Sequence, residues 1–301
     1  MQRTLSALFI AFAIFATALC AASAPYTLIR YRPPDGPDDV RYQYFVGMLR
    51  LALRETKADY GPYKLVPASI KISQKRAFEL VAQGRYLNLV WSMTNTRREQ
   101  IALPIRIPLL KGLLGMRVLL VRPQTVPVFD TLSSLRGLTS FIGVQGHDWP
   151  DTDILRDNGL KITASSDYSS MFKMVMNGRV DYFPRSIAEV WDEMAHLPAH
   201  SLAVSPSPLL VYRAPIYFFV NLNNKTLAMR IRLGLQRAVA DGSFERQFLS
   251  SAEMRKAVAF LQAGHYRVLR LNNPSLPAKT PLHDKSLWFH LPPTRPKTGY
   301  R

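Results

Sequence analysis

From Tyr26 onward, short alternating or continuous apolar runs take turns with longer stretches that repeat every three to four residues. Tyr26–Arg32 alternates and predicts a strand, followed by a loop at Pro33, Pro34, Gly36 and Pro37. Asp39 is placed to cap a helix running to about Thr56, with Phe45, Met48, Leu49 and Ala52 on one face. Strands are predicted at Tyr63–Ser69 and Leu87–Trp91, and a helix from Ser73 to Gly84 between them. The middle third repeats the alternation. Strands are expected at Phe141–Gln145, Ile162–Ser165 and Val180–Phe183, with helices at Phe129–Leu135, Trp149–Asn158, Asp167–Gly178 and Ile187–Met194. Leu202–Val220 reads mostly as strand, and Lys225–Ala240 and Phe244–Leu261 as two helices parted by Asp241-Gly242. Strands alternating with helices predict an α/β protein, and no repeat of solenoid period is present.

The 301 residues are 48% hydrophobic, enough for two domains with buried cores. Mean hydropathy of −0.04 is far from that of a multi-span membrane protein or a disordered chain. The N-terminus differs. Arg3 precedes the apolar run Ala7–Leu19, and small residues to Ala24 offer a cleavage site, so residues 1–24 read as a secretory signal peptide. Leu19 before Cys20 argues against a lipoprotein site. Cys20 is the chain's one cysteine, so cleavage leaves a thiol-free protein suited to an oxidising periplasm.

Lys and Arg exceed Asp and Glu by 39 to 21, a net +18. The excess is spread along the chain, without a nucleic-acid-binding motif, and reads as a solvated basic surface. It concentrates only in 265–301, where seven basic residues meet one acid, Asp284, among six prolines, which predicts an extended segment on the surface.

Enzyme motifs are missing. There is no Gly-x-Ser-x-Gly, no His-Glu-x-x-His and no phosphate loop. Pro198 separates His196 from His200, and Asp151 and Asp153 are acids expected at a helix start on dipole grounds.

Several runs together carry a resemblance. They are Asn88–Thr94 leading into Arg97-Arg98-Glu99, Pro104–Pro108, Lys111–Arg117, Gly178-Arg179-Val180-Asp181 and Tyr217-Phe218-Phe219. Over about residues 25–265 the chain resembles type 2 periplasmic solute-binding proteins, of the extracellular family 3 or amino-acid-binding-protein-like kind. The resemblance implies two lobes, each a mixed sheet flanked by helices, joined by two crossing strands near Met116–Leu120 and Val211–Tyr217. Lobe 1 would hold 25–118 plus 215–301, and lobe 2 would hold 119–214. It further implies a monomeric binder of a small molecule with no cofactor and no metal, partnered by an ABC transporter permease or a sensor kinase and touching the membrane only through that partner. A dehydratase-like periplasmic enzyme is the alternative of another class.

The ligand residues follow the same resemblance. Arg98, with Arg97 as the neighbouring alternative, would clamp a carboxylate through its planar fork. Trp91, Ser92 and Thr94 would line that wall. Across the cleft, His147, Trp149 and Thr152 around a helix start, together with Arg185, would complete the site. Amino-acid binders commonly place an acid a few residues after the Asp181 position. Here Tyr182–Ser186 offers none, which favours an anionic ligand over an α-amino acid.

Overall fold

The computed structural model describes residues 26–34, 40–69 and 72–293. The signal peptide and the expected cap Asp39 lie outside them.

The first sheet is built early. Strand β1 (Thr27–Tyr31) is followed by helices α1 (Val40–Glu55) and α2 (Lys57–Tyr60), then β2 (Tyr63–Pro67), α3 (Gln74–Ala82), β3 (Leu89–Met93), α4 (Thr96–Ile101) and β4 (Leu103–Ile105). The second begins at β5 (Met116–Val121). It continues through α5 (Val126–Thr131), α6 (Leu135–Leu138), β6 (Ile142–Gly146), α7 (Pro150–Asp157), β7 (Lys161–Ser165), α8 (Tyr168–Met176), β8 (Tyr182–Ser186), α9 (Val190–Ala195) and β9 (Ala203–Val211). The chain then returns as β10 (Ile216–Val220), α10 (Lys225–Ala240), α11 (Ser243–Ser250), α12 (Ala252–Ala263) and β11 (Val268–Arg270).

Strand order is β2-β1-β3-β10-β4 in the first sheet and β11-β9-β5-β8-β6-β7 in the second. Both are mixed. β10 runs antiparallel between β3 and β4, while β5 is antiparallel to both β8 and β9. The two-lobed α/β architecture expected from the sequence is therefore present.

Local chemistry explains most element ends. Ser73 and Asp167 accept hydrogen bonds from Arg76 and Ser170 and cap α3 and α8, as the sequence predicts. Pro150 occupies the first turn of α7, where its missing N–H costs nothing. The helix expected over Phe244–Leu261 divides instead at Ser251. This residue is extended (φ −74°, ψ 132°), and its side chain accepts from Met254 N to start α12.

The two crossings lie side by side. Tyr212 N donates to Gly115 O at 2.9 Å, and a Cβ on Gly115 would stand 2.0 Å from the Tyr212 carbonyl oxygen. Close approach of two backbones, rather than a bend, is thus why glycine stands at position 115. The turn falls on Gly112, at φ 84°. Gly115→Ala must push the crossings apart. We expect a loss of about 1–3 kcal/mol, the usual range for overpacking, read by chemical denaturation; an unchanged midpoint would contradict the packing described.

The stretch 215–301, expected in lobe 1, divides between the lobes. Helix α10 packs on α1 in lobe 1. Helix α12 instead meets α9 through Phe260 and Trp191, with ring centroids 5.8 Å apart, and β11 pairs in parallel with β9 at the edge of the second sheet. The physical reason is an open sheet edge: β9 offers unpaired backbone groups that the short run Val268–Arg270 satisfies. Beyond Asn272 the segment returns to lobe 1. There Phe289 N donates to Lys111 O at 2.8 Å, and Trp288 fills the space left by Gly112.

Candidate functional site

A cleft lies between the lobes. Its inner part, about 470 Å³, is bounded by Tyr42, Phe45, Trp91 and Ser92 from lobe 1 and by Arg117, Asp151, Arg185 and Glu189 from lobe 2. Its outer part, about 740 Å³, is bounded by Asn95–Arg98, His147, Asp153 and Ser275. Asp148, Trp149 and Pro150 line both parts, so they form one continuous opening.

The lobe 1 wall is aromatic. Trp91, in the middle of β3, stacks on Phe45 at 5.4 Å and 24°, with Tyr42 and Tyr31 at 5.9 and 6.1 Å. The indole thereby serves core and cleft at once: packing holds it still while one side stays available. Ser92 is buried beside it and accepts from Arg98 Nη1 at 2.7 Å. Thr94 does not reach the cleft. It is fully buried and donates to Glu99 Oε1 at 2.8 Å, and Glu99 in turn pairs with Arg106.

Arg98 is carried by α4, whose N-cap Asn95 accepts from Arg98 N at 2.8 Å. Nη1 donates to Ser92 Oγ and to Met93 O, both at 2.7 Å, and Nη2 donates to Gln74 Oε1 at 3.2 Å. Phe78 lies under the guanidinium at 5.5 Å. Every one of these partners is neutral. Among the described residues no carboxylate comes within 4.0 Å of Arg98. Burial draws its guanidinium down to about 10, against a partial counter-effect of Asp151 and Asp148 at longer range. Arg97 is exposed on the outer rim.

The lobe 2 side is charged but largely self-compensated. Arg185, expected to complete the ligand site, is 2% exposed. Its Nε donates to Glu193 Oε2 at 2.7 Å, Nη2 to Glu193 Oε1, and Nη2 also to Glu189 at 3.1 Å. Trp149 and Phe183 flank the guanidinium at 5.1 and 4.9 Å, and Tyr168 donates to Glu193 at 2.6 Å. Burial pulls this arginine down, but Glu193 and Glu189 outweigh it and hold it well above its usual value. Its charge is spent inside the lobe, which the sequence reading did not foresee.

Thr152 also turns inward: it is 1% exposed, and its Oγ1 donates to Gly146 O at 2.5 Å. His147 is exposed on the outer cleft, and Trp149 stands at the junction of the two parts. The structure therefore gathers Trp91, Ser92, Arg98, His147, Trp149 and Arg185 around one opening and leaves out Thr94 and Thr152.

Arg117, Asp151 and Tyr212 were not anticipated. Arg117 Nη2 donates to Asp151 Oδ1 at 2.5 Å, and Tyr212 donates to the same oxygen. Burial depresses Arg117, yet the Asp151 carboxylate wins and raises it overall. The cluster joins the first turn of α7 to both crossing strands. Acids are also present at the cleft, outside Tyr182–Ser186, which itself holds none. Asp148 and Glu189 supply them from neighbouring loops, and Arg41 of lobe 1 reaches Glu189 at 3.5 Å.

No family model matches the chain, and no curated protein matches it. Solved structures do. An ancestral arginine-binding protein bound to arginine matches with a TM-score of 0.54 at 15% identity, covering 74% of this chain and 97% of its own. A Salmonella typhimurium periplasmic binding protein with high arginine specificity gives 0.54 at 12%, covering 74% and 98%. A Bacillus subtilis "probable amino-acid ABC transporter extracellular-binding protein" gives 0.55 at 16%, covering 76% and 99%. These likenesses show the fold: the chain has the two-lobed architecture of type 2 periplasmic binding proteins.

Proposed function

We propose that this chain is an exported solute-binding protein that captures a small, polar, carboxylate-bearing molecule between its lobes for uptake by an ABC-type importer. One observation carries the reading. Arg98 stands at the cleft as a half-buried cation with neutral acceptors on its guanidinium and no carboxylate of its own. An anionic ligand supplies the counter-charge it lacks. The aromatic wall of Trp91, Phe45 and Tyr42 gives the rest of the molecule a flat apolar surface. Asp148, which lines both parts of the cleft, leaves room for a second, cationic group on the ligand, so zwitterions join simple anions in the class to be tested. The neighbours are binding proteins, which supports capture without chemical change. Export rests on residues 1–24.

The test is calorimetry against a panel of amino acids, dicarboxylates, aromatic acids and polyamines. A carboxylate should bind, and Arg98→Ala should weaken it about ten- to a hundredfold, the 1.5–3 kcal/mol of a charge-assisted hydrogen bond. Arg98→Lys should recover only part, because an ammonium has no planar fork. Arg97→Ala should bind like the parent. Selective binding of polyamines, or equal binding by Arg98→Ala, would overturn the reading.

A further inference from the structure

Two crossing strands are enough to make a hinge, but this chain passes over to lobe 2 again at α12 and β11 and then crosses back a fourth time. After β11, Asn272 is held to lobe 2 by Asn158 at the end of α7. Asn158 Nδ2 donates to Asn272 O at 2.8 Å, and Asn272 N donates to Asn158 Oδ1 at 2.9 Å. Three residues later the chain is held to lobe 1. Ser275 O accepts from Thr96 N at 3.0 Å and from Thr96 Oγ1 at 3.1 Å. Between the two anchorages, Asn273 Nδ2 donates to Arg213 O, on the returning crossing strand, at 2.7 Å. Further on, Phe289 N donates to Lys111 O, and Arg213 stacks on Trp288 at 5.1 Å.

The anchored elements are those of the cleft. Thr96 opens α4, which carries Arg98, and α7, which ends at Asn158, begins with Trp149 and Pro150 at the other wall. Ser275 itself lines the outer cleft. Three extended residue steps reach at most about 10 Å. Asn272 and Ser275 cannot part further than this, so the start of α4 and the end of α7, each hydrogen-bonded to one of them, are tethered unless one anchorage breaks.

We propose that Asn272–Ser275 is a positioning strap of the ligand site. It limits how far the lobes open in the empty protein and keeps the Arg98 helix near the Trp149 helix before ligand arrives. Less closure is then left for the ligand to drive, and the penalty that an open population imposes on affinity is correspondingly smaller. The proposal rests on reading the cleft as the ligand site, but its test needs no ligand.

The experiment measures distances between spin labels on introduced cysteines at exposed Lys64 and Lys161, one in each lobe, in a Cys20→Ser background. The parent strap should give one narrow distribution. Asn158→Ala removes both bonds to Asn272 and should add a second, longer-distance population. Asn158→Asp keeps the acceptor oxygen and should fall between. If Asn158→Ala fails to fold, since its amide also bonds Ile154 O at 2.7 Å, Thr96→Pro, at the first position of α4 where proline is tolerated, removes both bonds to Ser275 from the other end with the same expected shift. A strap that only stabilises the fold would lower the melting temperature and leave the distances alone. A folded variant with an unchanged narrow distribution overturns the proposal, whatever the ligand panel shows.

Discussion

Replacing Arg185 with alanine is expected to remove about 3–5 kcal/mol of stability, because it leaves the Glu193 carboxylate buried without its counter-ion. Both side chains are almost wholly inaccessible, at 2% and 5%. The arginine is the partner of two carboxylate oxygens on Glu193 and one on Glu189. The measurement is a denaturant midpoint. A paired replacement, Arg185→Met with Glu193→Leu, should recover most of the loss, since removing both charges removes the unpaired one. pH gives a second handle. Burial pushes the Glu193 carboxyl up, but Arg185 outweighs it and holds the group below its ordinary value. A carboxylate with a depressed folded pKa contributes stability that is complete above its unfolded pKa and is lost as pH falls through the folded one. The parent should therefore lose this contribution in the acid range, and the doubly substituted protein should not. An Arg185→Ala protein as stable as the parent would rule out the ion pair as a support of lobe 2.

Asp151→Ala is expected to cost a similar 3–5 kcal/mol, for a different structural reason. Asp151 is the shared acceptor of Arg117 Nη2 and the Tyr212 hydroxyl, and Arg117 is 1% exposed. Without it, a buried guanidinium loses its anion and a buried hydroxyl loses its acceptor, both at the strands joining the lobes. Asp151→Asn keeps one acceptor oxygen and should lose less. Thermal melts rank the three proteins, and small-angle scattering of the ligand-free forms should show the alanine variant with the least well-defined separation of lobes. Identical melts for parent and alanine variant would show that the crossings hold together without this cluster.

How much of this was legible beforehand divides along the range of the forces. Caps at Ser73 and Asp167, the proline at the start of α7 and the alternation of strands with helices all depend on residues within a few positions of each other. They read correctly. The place of Arg98 at the cleft followed from a resemblance that spans one local motif; its role there is the proposal above. Partner choice was not readable. Nothing adjacent to Arg185 announces that Glu193, eight residues on, will take its charge, because the pairing requires α9 to fold back over β8. Thr94 and Thr152 look like ligand hydroxyls in sequence, yet each finds a buried acceptor first. Asp148 and Glu189 enter the cleft from loops outside the stretch where an acid was sought, and their place there depends on how those loops fold. The edge strand Val268–Arg270 is too short to stand out from a proline-rich segment, and it forms only because β9 offers it an edge.

The cluster at Asp151 also bears on redesign. The turn that carries Asp148 and Trp149 at the cleft is two or three residues from the carboxylate that ties both crossing strands together. Anyone converting this protein into a sensor by grafting new recognition residues onto 147–152 would be editing the selectivity and the mechanical joint in a single stroke. The aromatic wall of lobe 1 lies on α1 and β3, away in sequence from Asp151 and from Asn272–Ser275, and is the place to begin: changes at Phe45 are expected to alter recognition with less effect on the movement between lobes.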